Sequence, residues 1–394
     1  MKRCATSCSR VSYTIAQHEN CRDNHLQAAQ DGFYRLDGQQ VTMNQELVGS
    51  TLEANAGSVE GAAWSDPSST YGNFHNFGHV LLAALADPNG PAMPGVMTSP
   101  ATAVRDPVFF RWHRHIDDLF FVWQDRLPEN DFVNGAPPVR IRQHADLILC
   151  RKADIPGANQ PDFDGEAFGE QTFGGVQWDQ DPASSGITTD ELITTMKTEL
   201  LPGNVSKPYL DFEEFVLFLR LENLSSEQQQ VTLRLFLAAT ELAENRRFWI
   251  ELDKFAQRLE PLEKKVVFRS PRQSAVVRKP ARRPDEPPVE LPPGSVDRNY
   301  CDCGWPYHLL LPRGNEGGMP FRLLVMLTDW EEDLVGAEHK CGSMSFCGAR
   351  DAEYPDSRPM GYPFDRPFTS RSIADTATAL DNWATRDLVI RHQP

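Results

Sequence analysis

YGNFHNFGHVLLAALA, residues 71–86, is followed across a broken segment by RDPVFFRWHRHIDDLF, residues 105–120. In the first stretch His75, His79 and the apolar residues from Val80 to Leu85 recur at three- and four-residue steps, the period of a helix with one buried face. PNGPAMPG at 88–95 ends that helix, because Pro lacks the ladder N–H and Gly and Pro together favour turns. The second stretch opens with Asp106 as N-cap and Pro107 at N1, so a helix is predicted from about Pro107 to Arg126. An antiparallel or crossing helix pair is expected.

His75 and His79 are one helical turn apart on one face, so both imidazoles can reach one metal ion. His113 supplies a third from the next helix, and three neutral imidazoles suit copper, zinc, iron or nickel. The competing interpretation is a helix face of histidines satisfied by hydrogen bonds. His115 points about 200° from His113 on the same helix and is a poor fourth ligand.

Outward from this pair the chain changes character. Residues 1–40 show no sustained period, read only weakly as helix and loop, and are left unassigned. Residues 41–150 form the helical metal-binding region. Residues 151–210, whose first part is rich in Gly, Asp, Gln and Pro, read as an irregular connection over the surface. From 211 to 394 strand-like runs dominate: FEEFVLFLRLEN, QQVTLRLFLAA, RRFWIELDKF, KKVVFRS, YHLLLP and FRLLVMLTD. Such spacing predicts an antiparallel β-sandwich. The fold class is therefore α+β and multi-domain, a partial helical bundle followed by an Ig-like sandwich. The insertion from Ser270, with Arg278, Lys279, Arg282 and Arg283, reads as a solvated loop, with a proteolytic or partner site as the alternative.

Composition bounds the function. The 394 residues are 40% hydrophobic and 24% charged, and no run of about 18 apolar residues could span a bilayer. With 39 Lys and Arg against 55 Asp and Glu the net charge is -16, which argues against nucleic-acid partners and against a polybasic membrane-surface role. MKRCATSCSR has no apolar segment of the kind a secretory signal needs. Of the eight cysteines, Cys4, Cys8 and Cys21 lie in a weakly patterned stretch and Cys150 stands alone. Cys301, Cys303, Cys341 and Cys347 form a C-x-C followed by a C-x5-C, which fits two disulfides or a four-thiolate zinc site. Zinc sites usually use two-residue spacers, which favours disulfides.

The ordered series YGNFHNFGHV, GVM and RDPVFFRWHRHIDDLF resembles the second copper site, CuB, of arthropod hemocyanins and prophenoloxidases. The resemblance continues through YCDCGWPYHLLLPRGNEGGMPF, the segment of Cys341 and Cys347, and RDAEYPDSRPMGYPFDRPF, which look like the family's C-terminal β-sandwich. It covers about residues 40–394, loosely from 130 to 210. It implies His75, His79 and His113 as copper ligands, and disulfides pairing Cys301 with Cys341 and Cys303 with Cys347. The disulfide pattern suggests an extracellular setting. By the same resemblance, shared with tyrosinases, Asn76 and Glu213 hold a water near the type 3 coppers, and Glu213 takes the phenol proton as general base. Asp117, a turn after His113, is a candidate to orient the site through a ring nitrogen or Arg111. The implied activity is oxidation of phenols or catechols with dioxygen; the alternative is an oxygen carrier or storage protein of the hemocyanin type. A dinuclear site needs two histidine trios, yet only His18 and His25 precede His75, and they are seven apart. One copper is therefore expected, in a truncated product, in a diverged protein, or in a half completed by a homo-oligomer or partner chain.

Overall fold

The computed structural model describes residues 14–36, 38–52, 70–84, 95–99, 103–104, 106–290, 304–334, 356, 358–359, 361–370 and 372–394. The chain forms two compact units, Met1–Glu129 with Asp365–Pro367, and Asn130–Phe364 with Phe368–Pro394.

In the first unit, helix α1 spans Ile15–Asp31. It is nucleated by a capping box, in which the Gln17 N–H donates to Thr14 Oγ1 at 3.2 Å and the Thr14 N–H to Gln17 Oε1 at 2.9 Å. It ends at Gly32, whose φ of 80° a side chain would resist. A hairpin of β1 (Phe33–Leu36) and β2 (Gln39–Thr42) follows, then α2 (Gln45–Leu52), α3 (Phe74–Ala84), a 3-10 turn at Val96–Thr98 and α4 (Pro107–Gln124). The start of α4 is built as its sequence predicts: Asp106 Oδ1 accepts from the Val108 N–H at 2.9 Å, with Pro107 at N1. Cys21, Ala28, Tyr34, Val48, Leu52, Phe74, Ile116, Leu119 and Trp123 form one buried cluster across these elements. Residues 15–31, unassigned from sequence, are thus a core helix. Its buried face is Cys21, His25, Ala28 and Ala29. Small and polar residues carry no apolar period to read.

The second unit is a sandwich. Its four-stranded sheet joins β3 (Val139–Arg140), β4 (Leu147–Arg151), β7 (Phe215–Asn223) and β10 (Lys264–Arg269). Its six-stranded sheet runs β6 (Val205–Phe212), β5 (Glu191–Leu201), β12 (Trp383–Gln393), β11 (Met319–Asp329), β8 (Gln229–Ala239), β9 (Ile250–Leu259). Alternate residues of the facing strands fill the space between the sheets: Leu217, Leu219 and Leu221 from β7; Leu233, Leu235 and Leu237 from β8; Leu323, Val325 and Leu327 from β11. The other parity is buried too. Val216 and Phe218 pack beneath helix α5 (Gly165–Phe173), where a Cβ on Gly165 would meet Phe268 Cδ2 at 2.5 Å. Phe236, Leu324 and Met326 pack against Phe364, Phe368 and Trp383. Double coverage explains why these strands read as apolar runs, each fully buried leucine contributing about 1.5–3 kcal/mol.

Several expectations are corrected. The stretch 151–210 holds α5 and the long β5–β6 hairpin, closed by Gly203 at φ 85° and Asn204 at φ 61°. Its strands are half exposed and Thr-, Lys- and Glu-rich, so they lack an apolar signature. One pair in the otherwise antiparallel six-stranded sheet, β12 with β5, is parallel. YHLLLP is a 3-10 turn at Tyr307–Leu309 between Pro306 and Pro312, since the prolines deny it ladder donors. The basic insertion is not a solvated loop throughout. Arg283 is 9% exposed and bonds Asp211 Oδ1 and Oδ2 at 2.9 and 2.8 Å, while Lys279 Nζ donates to the carbonyls of Arg272 and Ser274. Cys301, Cys303, Cys341 and Cys347 lie outside the described residues.

Candidate metal centre

Helices α3 and α4 bring His75, His79 and His113 together, as the helical spacing implies. His75 Nε2 lies 3.1 Å from His113 Nε2 and 3.1 Å from His79 Nε2. Outside this triangle, His79 Nδ1 meets the Met97 carbonyl at 2.9 Å and His113 Nδ1 meets the Phe109 carbonyl at 2.8 Å. Carbonyls only accept, so the neutral rings of His79 and His113 carry their protons on Nδ1 and turn bare Nε2 lone pairs inward. A proton on His75 Nε2 could serve one of its two contacts; a cation serves all three lone pairs. Nitrogens 3.1 Å apart subtend about 100° at an ion roughly 2.0 Å from each, the usual imidazole–metal distance. The donor set fits a metal ion with three neutral nitrogen ligands.

All three rings are half-buried. The Phe109 ring lies 3.9 Å from that of His113 and 6.2 Å from that of His79. The carbonyls of Met97 and Phe109 fix the ligand tautomers, a role that sequence reasoning missed because a main-chain group leaves no residue signature. Met97, 3% exposed, sits in the turn that the fragment GVM encodes.

Asn76 is half-buried on α3 beside His75. Asp117 faces Arg114, at 3.8 Å, and the outer nitrogen of His113 is taken by Phe109. Asp117 is therefore not the group that orients that ring. Glu213 belongs to the sandwich unit, exposed between β6 and β7, its N–H bonded to the Ile193 carbonyl at 2.9 Å. Its neighbour Glu214 is the busier carboxylate, accepting from Lys152, Arg272 and Arg283. His115 packs on Trp112, at 5.6 Å between rings, and stays out of the trio. His18 stacks on Phe74 at 4.3 Å and 6°. Burial holds His18 down to about 4 and His25 to about 3, so both are neutral.

A helix pair with a three-histidine centre and a separate Ig-like sandwich define a metalloprotein of a particular architecture, and relatives bear this out. Residues 5–120 match the family described as hemocyanin, copper containing domain, and residues 201–392 the family described as hemocyanin, ig-like domain. A hemocyanin D chain of Aphonopelma sp. is 32% identical over 96% of this chain and 58% of its own length. Phenoloxidase subunit 1 of Bombyx mori is 30% identical over 96% of this chain and 53% of its own. A scorpion hemocyanin structure in its activated state superposes with a TM-score of 0.69 at 27% identity, over 96% of this chain and 58% of that one. The chain belongs to the hemocyanin and prophenoloxidase superfamily, and copper is the cofactor of the domain its helical region matches. It spans little more than half the length of these relatives.

Proposed function

We propose that the chain holds one copper through His75, His79 and His113 and works as the copper-binding half of a phenol or catechol oxidase. The observation that carries this reading is the inward turn of three Nε2 atoms, two of them 3.1 Å from the third, at a half-buried site. Copper bound there supplies one-electron redox chemistry toward dioxygen and a phenolate. The chain's own residues do the rest. Met97 and Phe109 hold the His79 and His113 protons on Nδ1, which keeps both rings available as ligands. The Phe109 ring offers an aromatic face beside His113 for a phenolic substrate. Asn76 takes the water-holding role that the resemblance implies.

A catechol gives up two electrons on becoming a quinone, whereas one copper passes one at a time. Among the described residues His75, His79 and His113 are the one group of three side chains at ligand distance. Efficient turnover accordingly calls for a second trio beyond the one these described residues supply. Reversible oxygen carriage is the second reading, favoured by the hemocyanin names among the relatives. Oxygen uptake with a catechol added to the associated, copper-loaded protein separates the two. Sustained consumption with quinone formation supports the oxidase; reversible binding without turnover supports the carrier.

A further inference from the structure

We infer that Trp112 is the positioning residue of the metal centre: seated on Gly78, its indole locks α3 against α4 in the register that brings the three Nε2 atoms together. Gly78 lies one residue before His79, on the face of α3 turned to α4. A Cβ there would lie 2.0 Å from Trp112 Cζ2 and 2.5 Å from Cε2 and Cη2, so even alanine would displace the indole. Gly78 is an ordinary helical residue of α3, so what it provides is room and not backbone freedom. From this seat Trp112 Nε1 donates to the His75 carbonyl at 3.2 Å, the acceptor that the helix ladder assigns to residue 79. One indole thus touches the backbone that carries both ligands of α3, and its chain neighbour is the third ligand, His113. Trp112 also packs against two buried clusters, that of Phe74 and Ile116 and that of Ala83 and Met97. The second contains the residue whose carbonyl holds His79.

The inference rests on the three histidines being the metal ligands. It is tested by competitive copper titration against a chromophoric chelator, with the Cu(II) electron paramagnetic resonance spectrum and the unfolding midpoint of the metal-free protein as second and third readouts. Trp112→Phe, which keeps an aromatic ring and loses the N–H, should weaken copper binding about 10-fold with little change in the metal-free midpoint. Gly78→Ala should weaken it up to about 100-fold and broaden the spectrum. The double variant should lose less than the product of the two, because both break one clamp. Wild-type affinity and spectrum in both single variants would overturn the clamp. So would affinity losses that simply follow metal-free stability, or that multiply in the double variant. A wild-type chain that takes up no copper would instead remove the ligand reading, and the inference with it, before any variant is compared.

Discussion

His79 is held from both sides: its Nε2 faces His75 Nε2 at 3.1 Å while its Nδ1 is committed to the Met97 carbonyl. Replacing it by alanine removes one of three neutral donors without touching the sandwich core. Bound copper should fall to near zero in metal analysis of His79→Ala, while the unfolding of the sandwich, followed by β-sheet circular dichroism, stays unchanged. His25 gives a second expectation at this scale. Burial, its largest influence, lowers it from its ordinary 6.5 to about 3, so it stays neutral when folded but takes up a proton when unfolded. Its contribution to stability is therefore present above about pH 6.5 and is lost as pH falls from there toward 3. The midpoint of helical unfolding should drop across that window, and His25→Phe should flatten the slope. An unchanged slope in the variant would assign the acid sensitivity elsewhere.

Among the elements, α3 and α4 were legible in the sequence because their signals are local: histidines one turn apart, an apolar period, and Asp106-Pro107 opening a helix. The sandwich strands β7, β8 and β11 were legible for the same reason, as apolar runs between turns. Other parts depended on contacts the sequence does not display. Helix α1 buries His25 and Cys21, and β5 and β6 form a half-exposed hairpin of Thr, Lys and Glu. The carbonyl of Met97 joins the site only through the fold. The basic insertion is the clearest case, since its charges look solvated until the partners on β6 and the β6–β7 junction are known. Burial alone would raise Glu214, but the hydrogen bond and charge of Lys152, then Arg272, outweigh it and hold the carboxyl down to about 2. That stabilisation is present above the ordinary 4.5 and is lost as pH falls toward 2. Glu214→Gln should destabilise the sandwich unit by roughly 1–3 kcal/mol in denaturant unfolding and speed proteolysis between residues 270 and 290. A variant that resists protease like the wild type would show that the insertion is held by other contacts.

For the whole molecule the questions are association and stoichiometry. Phe110 is 63% exposed, Ile15 60% and Val104 49%, large apolar side chains that the helical unit leaves in water. With one histidine trio among the described residues, two-electron oxidation of a catechol calls for a second trio. The monomeric fraction from size-exclusion chromatography, supplied with copper, should therefore be a poor catechol oxidase. Turnover at about 1–1000 per second by that monomer would show that a second trio is not needed. The proposed pairs Cys301–Cys341 and Cys303–Cys347 should appear as linked peptides under non-reducing mass mapping, and each closure is worth roughly 4 kcal/mol in the chain-entropy model. Four free thiols in the native protein would contradict both pairs. All of these expectations lean on a single centre with a single metal. Copper per chain, measured on the purified protein after loading and removal of excess metal, tests it most directly. The value should be about one and should vanish in His79→Ala. Two coppers held by this chain alone, no retained copper, or zinc retained in its place would contradict it.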